Sequence, residues 1–241
     1  MADDVLDNLI WHAISKGRPE LGQVGPAGLA GRFPKTVSPF CGLEGESPEA
    51  WDDLAHLLGS QDVAIFMGPR VSKTPEGWRS LMEELATQWV AGDLAAAPAD
   101  FPFAPLGQDD VPDMLDLTER TEPGPFLADT ILFGRYWGLR REGKLIAMAG
   151  ERMRAGDYLE ISAVCVDPSA QREGLGRAAT LFVAERIREA GCVPILHVRQ
   201  GNDPALTLYE RIGFRLHQER FVYVFAPPGW KPPKGMEGTL G

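Results

Sequence analysis

The stretch from Val164 to Ala179, VCVDPSAQREGLGRAA, constrains the fold of this chain more than any other part of it. An apolar run ends at Val166 and Asp167-Pro168 closes it. An amphipathic pattern then opens, with Leu175, Ala179, Phe182, Val183 and Ile187 on one side and Gly191 as its stop. A strand that turns straight into a helix implies layered α/β packing. Gly174 and Gly176 let the backbone come close to a ligand. The N–H groups of residues 173–178 would then face one concavity at a helix N-terminus, which suits a phosphate or pyrophosphate. Arg172 and Arg177 add charge there. No G-K-[ST] follows, so this is not a Walker loop, and two glycines fall short of the G-x-G-x-x-G dinucleotide pattern. Taken alone, the same residues also fit a tight strand-to-helix turn.

The second half of the chain has a regular rhythm around this stretch. Helices are expected over 110–120, 174–190 and 203–212. Strands are expected over 135–139, 144–151, 158–166, 193–198 and 220–225, with a tight turn at 140–143. The first half is harder to read. Residues 17–35 carry several Gly and Pro and read as loop around short helical pieces. Ser47-Pro48-Glu49 opens a helix that ends at Gly59. DVAIFM (62–67) reads as a buried strand and SLMEELATQWV (80–90) as a helix. DLAAAPADFPFAP (93–105) reads as a linker. The expected division is therefore an N-terminal lobe over 1–105, a catalytic domain over 106–226, and an extended, mobile tail over 227–241.

Composition narrows the classes of function. The 241 residues carry a net charge of −10, which disfavours nucleic acid and anionic lipid as partners. That charge is uneven: residues 1–105 hold 15 acids against 7 bases, and residues 106–241 hold 19 against 17. No apolar run approaches the ~18 residues of a membrane span. The acidic start argues against a secretory signal. The three cysteines, Cys41, Cys165 and Cys192, are odd in number and widely spaced, which suggests neither a disulfide framework nor a zinc ribbon. His12, His56 and His217 lack partners at metal-ligand spacing. The expected setting is the cytoplasm, with no metal, no membrane and no nucleic acid; the oligomeric state stays open.

Two motifs together resemble the GNAT superfamily of acyl-CoA N-acyltransferases. Gln171, Gly174 and Gly176 fill its Q/R-x-x-G-x-G/A pattern, preceded by Val164, Val166 and Pro168. Asn202, Ala205, Leu208-Tyr209-Glu210 and Ile212-Gly213-Phe214 fill its N-x-x-A-x-x-L-Y-x-x-x-G-F pattern. The resemblance covers about residues 106–226. TEPGPF (121–126) and the run before the glycine loop look like the branch related to glycine N-acyltransferases. The resemblance implies an α/β GNAT fold, with a mixed, mostly antiparallel central sheet flanked by helices and an N-terminal α/β lobe compatible with a degenerate copy of the same fold. It further implies transfer of an acetyl or other short acyl group from acyl-CoA, as cosubstrate, to a primary amine of a small molecule or protein.

By the same resemblance, the CoA pyrophosphate rests on the segment Gln171, Arg172, Glu173, Gly174, Leu175, Gly176, Arg177 and Ala178. The pantetheine pairs with the strand at Val164, Cys165 and Val166, which splays away from the strand at 193–198. Asn202 bonds the pantetheine, or is ordinary loop chemistry before a helix. Tyr209 donates a proton to the leaving thiolate, or is a core tyrosine. Glu160 stands eleven residues before Gln171, as the catalytic glutamate does in histone-acetylating members. Strand alternation puts it on one face with Ser162, Val164 and Val166. It is then a half-buried general base of raised pKa, or a carboxylate bonded to backbone or paired with an arginine. Glu122 lines the acceptor side, or TEPGPF only shapes a loop. Cys165 is expected to be a small core residue rather than a nucleophile, and His197 structural. The acidity of 1–105 either recruits a cationic acceptor or serves solubility. The alternative to an enzyme is a CoA-binding module without transfer, a sensor or assembly component.

Overall fold

A computed structural model describes residues 5–71 and 73–232; the end of the expected tail lies outside the described residues. In chain order the elements are α1 (Leu9–His12), β1 (Gln23–Val24), β2 (Ala30–Arg32), β3 (Cys41–Leu43), α2 (Pro48–Leu58), β4 (Ala64–Gly68), β5 (Arg79–Ala91), β6 (Ala104–Leu106) and α3 (Val111–Thr121). They continue with β7 (Tyr136–Arg141), β8 (Lys144–Ala155), β9 (Tyr158–Val166), α4 (Leu175–Glu189), β10 (Val193–Arg199), α5 (Asp203–Arg211) and β11 (Phe214–Ala226).

The contacts group these elements into two compact units that do not follow chain order. Of the described residues, the first takes those up to Pro34, from Pro39 to Ala86 and from Glu219 onward; the second takes Lys35–Ser38 and Thr87–Gln218. β5 and β11 each begin in one unit and end in the other. The chain therefore does not divide at 105, as linker-like composition suggested.

In the first unit, β1, β2 and β3 form a small antiparallel sheet where loop and short helices were expected. Asp53 explains this order: its buried carboxylate accepts hydrogen bonds from the N–H groups of Ala27, Leu29 and Ala30 and clasps the Gly/Pro-rich segment. α2 forms as its sequence predicts, with Ser47 Oγ accepting from Ala50 N at 3.2 Å. It packs Trp51 and Leu54 against Ala64, Tyr223 and Phe225 of the antiparallel pair β4–β11.

The second unit carries the strand order β11-β5-β10-β9-β8-β7-β6. β6, β7, β8 and β9 pair antiparallel, and β9 pairs parallel with β10. The mixed, mostly antiparallel sheet was expected. α3 covers one face, with Met114 and Leu117 against Tyr136, Met148 and Cys165. α4 covers the other, with Ala179, Val183 and Ile187 against Leu159 and Ile161.

Two expectations fail here for one reason. Residues 80–90 are rich in helix formers, yet they lie in β5, whose neighbours are β10 and β11. Partner strands from far along the chain outweigh local propensity. Residues 93–105 are likewise no linker: Ala95 N donates to Ile212 O at 3.0 Å, Leu94, Ala97 and Phe103 join the core, and β6 pairs with β7.

Gly213 receives that connection. Its φ is 102°, and a Cβ there would strike the Asp93 carbonyl. Gly213→Ala is expected to cost about 3 kcal/mol, from backbone strain plus a clash with backbone. Urea unfolding measures it, and a midpoint equal to wild type would contradict the close approach.

Candidate active site

The site is built where β9 and β10 part. Their parallel ladder pairs Val193 with Tyr158, Pro194 with Leu159 and Ile195 with Glu160, and it ends there. Beyond it, residues 161–166 keep one backbone edge on β8 and turn the other toward the gap. Unpaired backbone groups on that edge suit a ligand carrying amides.

A β-bulge inside β9 decides which side chains face which way. The pairing with β8 skips a residue between Ser162 and Cys165, and Ala163 sits at φ 51°. Alternation is inverted across it. Leu159, Ile161 and Val164 join the cluster under α4, while Ala163 and Cys165 join the cluster under α3. Glu160 therefore faces away from Val164 and Val166 rather than with them. A period of two cannot reveal a bulge.

Glu160 is completely buried. Arg152 grips it with two hydrogen bonds, Nε to Oε2 at 2.8 Å and Nη2 to Oε1 at 2.7 Å, and His197 Nδ1 reaches Oε1 at 2.8 Å. Burial by itself would raise its pKa; the charge and hydrogen bonds of Arg152 and His197 prevail and hold the carboxyl well below the usual range. The half-buried carboxylate of raised pKa is thus replaced by the arginine-paired one. The other ring nitrogen of His197, Nε2, accepts from Gln88 Nε2 at 3.0 Å. Arg152 and Gln88 escaped the sequence reading. Arg152 meets Glu160 only through a second bulge, in β8, that no pattern signals.

The glycine loop has the expected form. Asp167 opens it as a cap, accepting from Ser169 N at 2.9 Å and Ser169 Oγ at 2.6 Å. These bonds, with Lys144 and Arg120, hold its carboxyl well below the usual range. Arg172 (φ 65°) and Gly174 (φ 82°) turn the chain into α4. Ala178 N donates to Gly174 O, so the backbone amides ahead of it, through Gly176 and Arg177, stand at the open helix end while that of Ala178 is spent. Leu175 packs into the core and Ala178 is buried. Glu173 pairs with Arg141 at 2.5 Å on the surface, which leaves only its backbone for an anion. Its chain neighbours aside, no atom of the described residues lies within 4 Å of where a Gly174 Cβ would stand, so the fold leaves room beside the loop.

Tyr209, on α5, stands against the Thr180 hydroxyl of α4; burial, then the neighbouring Cys165, pushes its phenol up to about 12. Thr180 itself donates to Gly176 O at 2.8 Å, so the phenol sits at the root of the glycine loop. Cys165 is buried and its thiol is pushed up to about 12 by burial, which fits a core residue. Asn202 caps α5 through Oδ1, which accepts from Ala205 N at 3.3 Å. Glu122 caps α3 in the left-handed conformation and lines a cavity of about 580 Å³ with Leu115, Thr118, Glu119, Phe126 and, from the end of β10, Arg199.

Comparisons with known proteins bear on the family and the fold. A family model described as FR47-like protein matches residues 136–223. A mycothiol acetyltransferase of Thermomonospora curvata is 38% identical over 89 residues, which is 36% of this chain and 30% of that protein. One from Rhodococcus erythropolis is 36% identical over 115 residues, 42% of this chain and 36% of its own length. The chain thus spans about a third of these curated relatives. A crystal structure from Novosphingobium aromaticivorans, described as an acetyltransferase from the GNAT family, superposes with a TM-score of 0.83 at 32% identity, covering 93% of this chain and 99% of that one. A GCN5-related N-acetyltransferase from Kribbella flavida shares the fold, with a TM-score of 0.62 at 17% identity.

Proposed function

This chain belongs to the GNAT family, and from that premise we propose that it moves an acetyl group from acetyl-CoA to a primary amine by direct attack. The observation that carries the reading is the gap beyond Ile195 and Glu160, which opens an unpaired strand edge beside a helix end with free amides. The residues fit the cosubstrate. The amides of the Arg172–Arg177 segment would bind its pyrophosphate, and the edge of Val164, Cys165 and Val166, with the donor end of Asn202, its pantetheine. When bound, acetyl-CoA supplies an activated acyl carbon. The chain's own part is to align the amine with that carbon and to stabilise charge as it develops. As the carbon–nitrogen bond forms, the carbon–sulfur bond breaks; Tyr209 hands its phenolic proton to the departing thiolate and regains one from water. The attacking nitrogen loses its proton to solvent in the open cavity, where Glu119 and Glu122 draw a cationic acceptor in.

The resemblance to the glycine N-acyltransferase branch and the relatives named for mycothiol both bear on the acceptor, so amino acids and mycothiol-related amines belong together in one panel. Saturating CoA, at about a hundred times its Kd, is expected to stabilise the protein by about 2.7 kcal/mol. A Tm that CoA does not move would sink the reading. If CoA binds but no amine raises thiol release above hydrolysis, the chain is a binding module. Two variants separate the parts. Gly174→Val is expected to weaken CoA about tenfold by blocking the loop, with calorimetry as the check. Glu122→Gln is expected to raise the KM of a cationic amine roughly threefold while CoA affinity stays. An unchanged KM would remove Glu122 from the acceptor side.

A further inference from the structure

We propose that Glu160 and His197 form a clasp that fixes how far β9 and β10 stand apart where their ladder ends, and so act as positioning residues for the cosubstrate in the gap beyond. The proposal rests on the reading that this gap takes acyl-CoA. Glu160 belongs to the last backbone pair, with Ile195. His197 lies two residues further along β10, and its Nδ1 donates to Glu160 Oε1 at 2.8 Å. The link between the strands thus passes from backbone to side chains at the point where backbone pairing stops.

Both halves of the clasp are held from outside it. Arg152 fixes the carboxylate in its plane with two hydrogen bonds. His197 Nε2 accepts from Gln88 Nε2 on β5, and Gln88 Oε1 accepts from Gln218 Nε2 on β11 at 2.8 Å. The donors therefore run one way, from Gln218 through Gln88 and His197 to Glu160, and they keep the hydrogen of the imidazole on Nδ1. Oε1 of Glu160 takes two of these bonds and Oε2 the third, and the side chain faces away from Val164 and Val166. A carboxylate so engaged sets strand positions rather than accepting the proton of an amine in the gap. A strand displaced by about 1 Å misaligns the thioester, and misplacement of that size costs about a hundredfold in rate.

The test compares full-length wild type with His197→Ala, His197→Asn and Glu160→Gln. His197→Ala cuts the clasp and spares the Arg152–Glu160 pair. It is expected to raise the Kd for CoA about tenfold by calorimetry. Amide hydrogen exchange in the free protein should quicken at 161–166 and 196–199 and stay unchanged in β7. His197→Asn places an amide donor where Nδ1 stood and should recover the affinity to within about threefold. Glu160→Gln should weaken CoA as His197→Ala does and leave the shape of the pH–rate profile unchanged. Wild-type exchange and affinity in His197→Ala would overturn the clasp. So would a Glu160→Gln variant that binds CoA normally but has an altered pH–rate profile, since that identifies a base. If the wild type itself ignores CoA, the acyl-CoA reading falls, and the exchange data judge the clasp alone. Should His197→Ala fail to fold, the asparagine and glutamine variants decide on the same readouts.

Discussion

Tyr209→Phe is expected to lower kcat about a hundredfold while the Kd for CoA stays within about twofold. The phenol is buried beside Thr180 and Cys165 and pushed up to about 12, so it stays protonated at every pH at which the enzyme would be assayed. It can therefore donate a hydrogen bond to charge that develops on sulfur, and its proton follows as the thiol departs. Phenylalanine keeps the ring against Phe214, whose centroid is 6.0 Å away, and removes only the hydroxyl. Stability should change little, and the loss should appear in turnover, because the interaction forms only as the bond breaks. Thiol release at saturating substrates, beside calorimetry with CoA, separates the two quantities. Wild-type turnover in the variant would return Tyr209 to the core.

Glu160→Ala should act on stability rather than on a single chemical step. It leaves the Arg152 guanidinium buried without its carboxylate, a change that typically costs about 3–5 kcal/mol. The pH dependence has a definite sign. Burial alone would raise the carboxyl's pKa, but Arg152 and His197 hold it below the ordinary 4.5. A carboxyl depressed in the folded state contributes stability that is complete above its unfolded value and fades as pH falls below it. Wild type should therefore lose stability from about pH 4.5 downward, and Glu160→Gln should lack that part of the acid dependence. Urea midpoints at pH 7 and pH 3.5 measure both. Equal acid sensitivity in wild type and Glu160→Gln would mean the pair is not ionised as described.

The second half of the fold was legible because each element carried its own local signal. α4 shows its apolar face and its stop glycine. β9 matches its expected span residue for residue, and α5 has Asn202 and Pro204 at its start. The first half was less legible because its signals are not local. β5 is written in helix formers and becomes a strand only between β10 and β11. The small sheet of β1, β2 and β3 depends on the Asp53 carboxylate reaching back to Ala27, Leu29 and Ala30.

The candidate site divides in the same way. The glycine loop and Tyr209 rest on short stretches of contiguous chain, and the sequence by itself placed one at a strand-to-helix turn and the other on a short helix. The facing of Glu160 was decided only by the tertiary structure. One residue inserted at Ala163 inverts the alternation that any periodic reading assumes, and one inserted in β8 brings Arg152 opposite Glu160. A bulge leaves composition and spacing untouched while it turns side chains over. Whether the carboxylate at 160 faces a cosubstrate or an arginine is a property of strand register, and register exists only once the strands have paired.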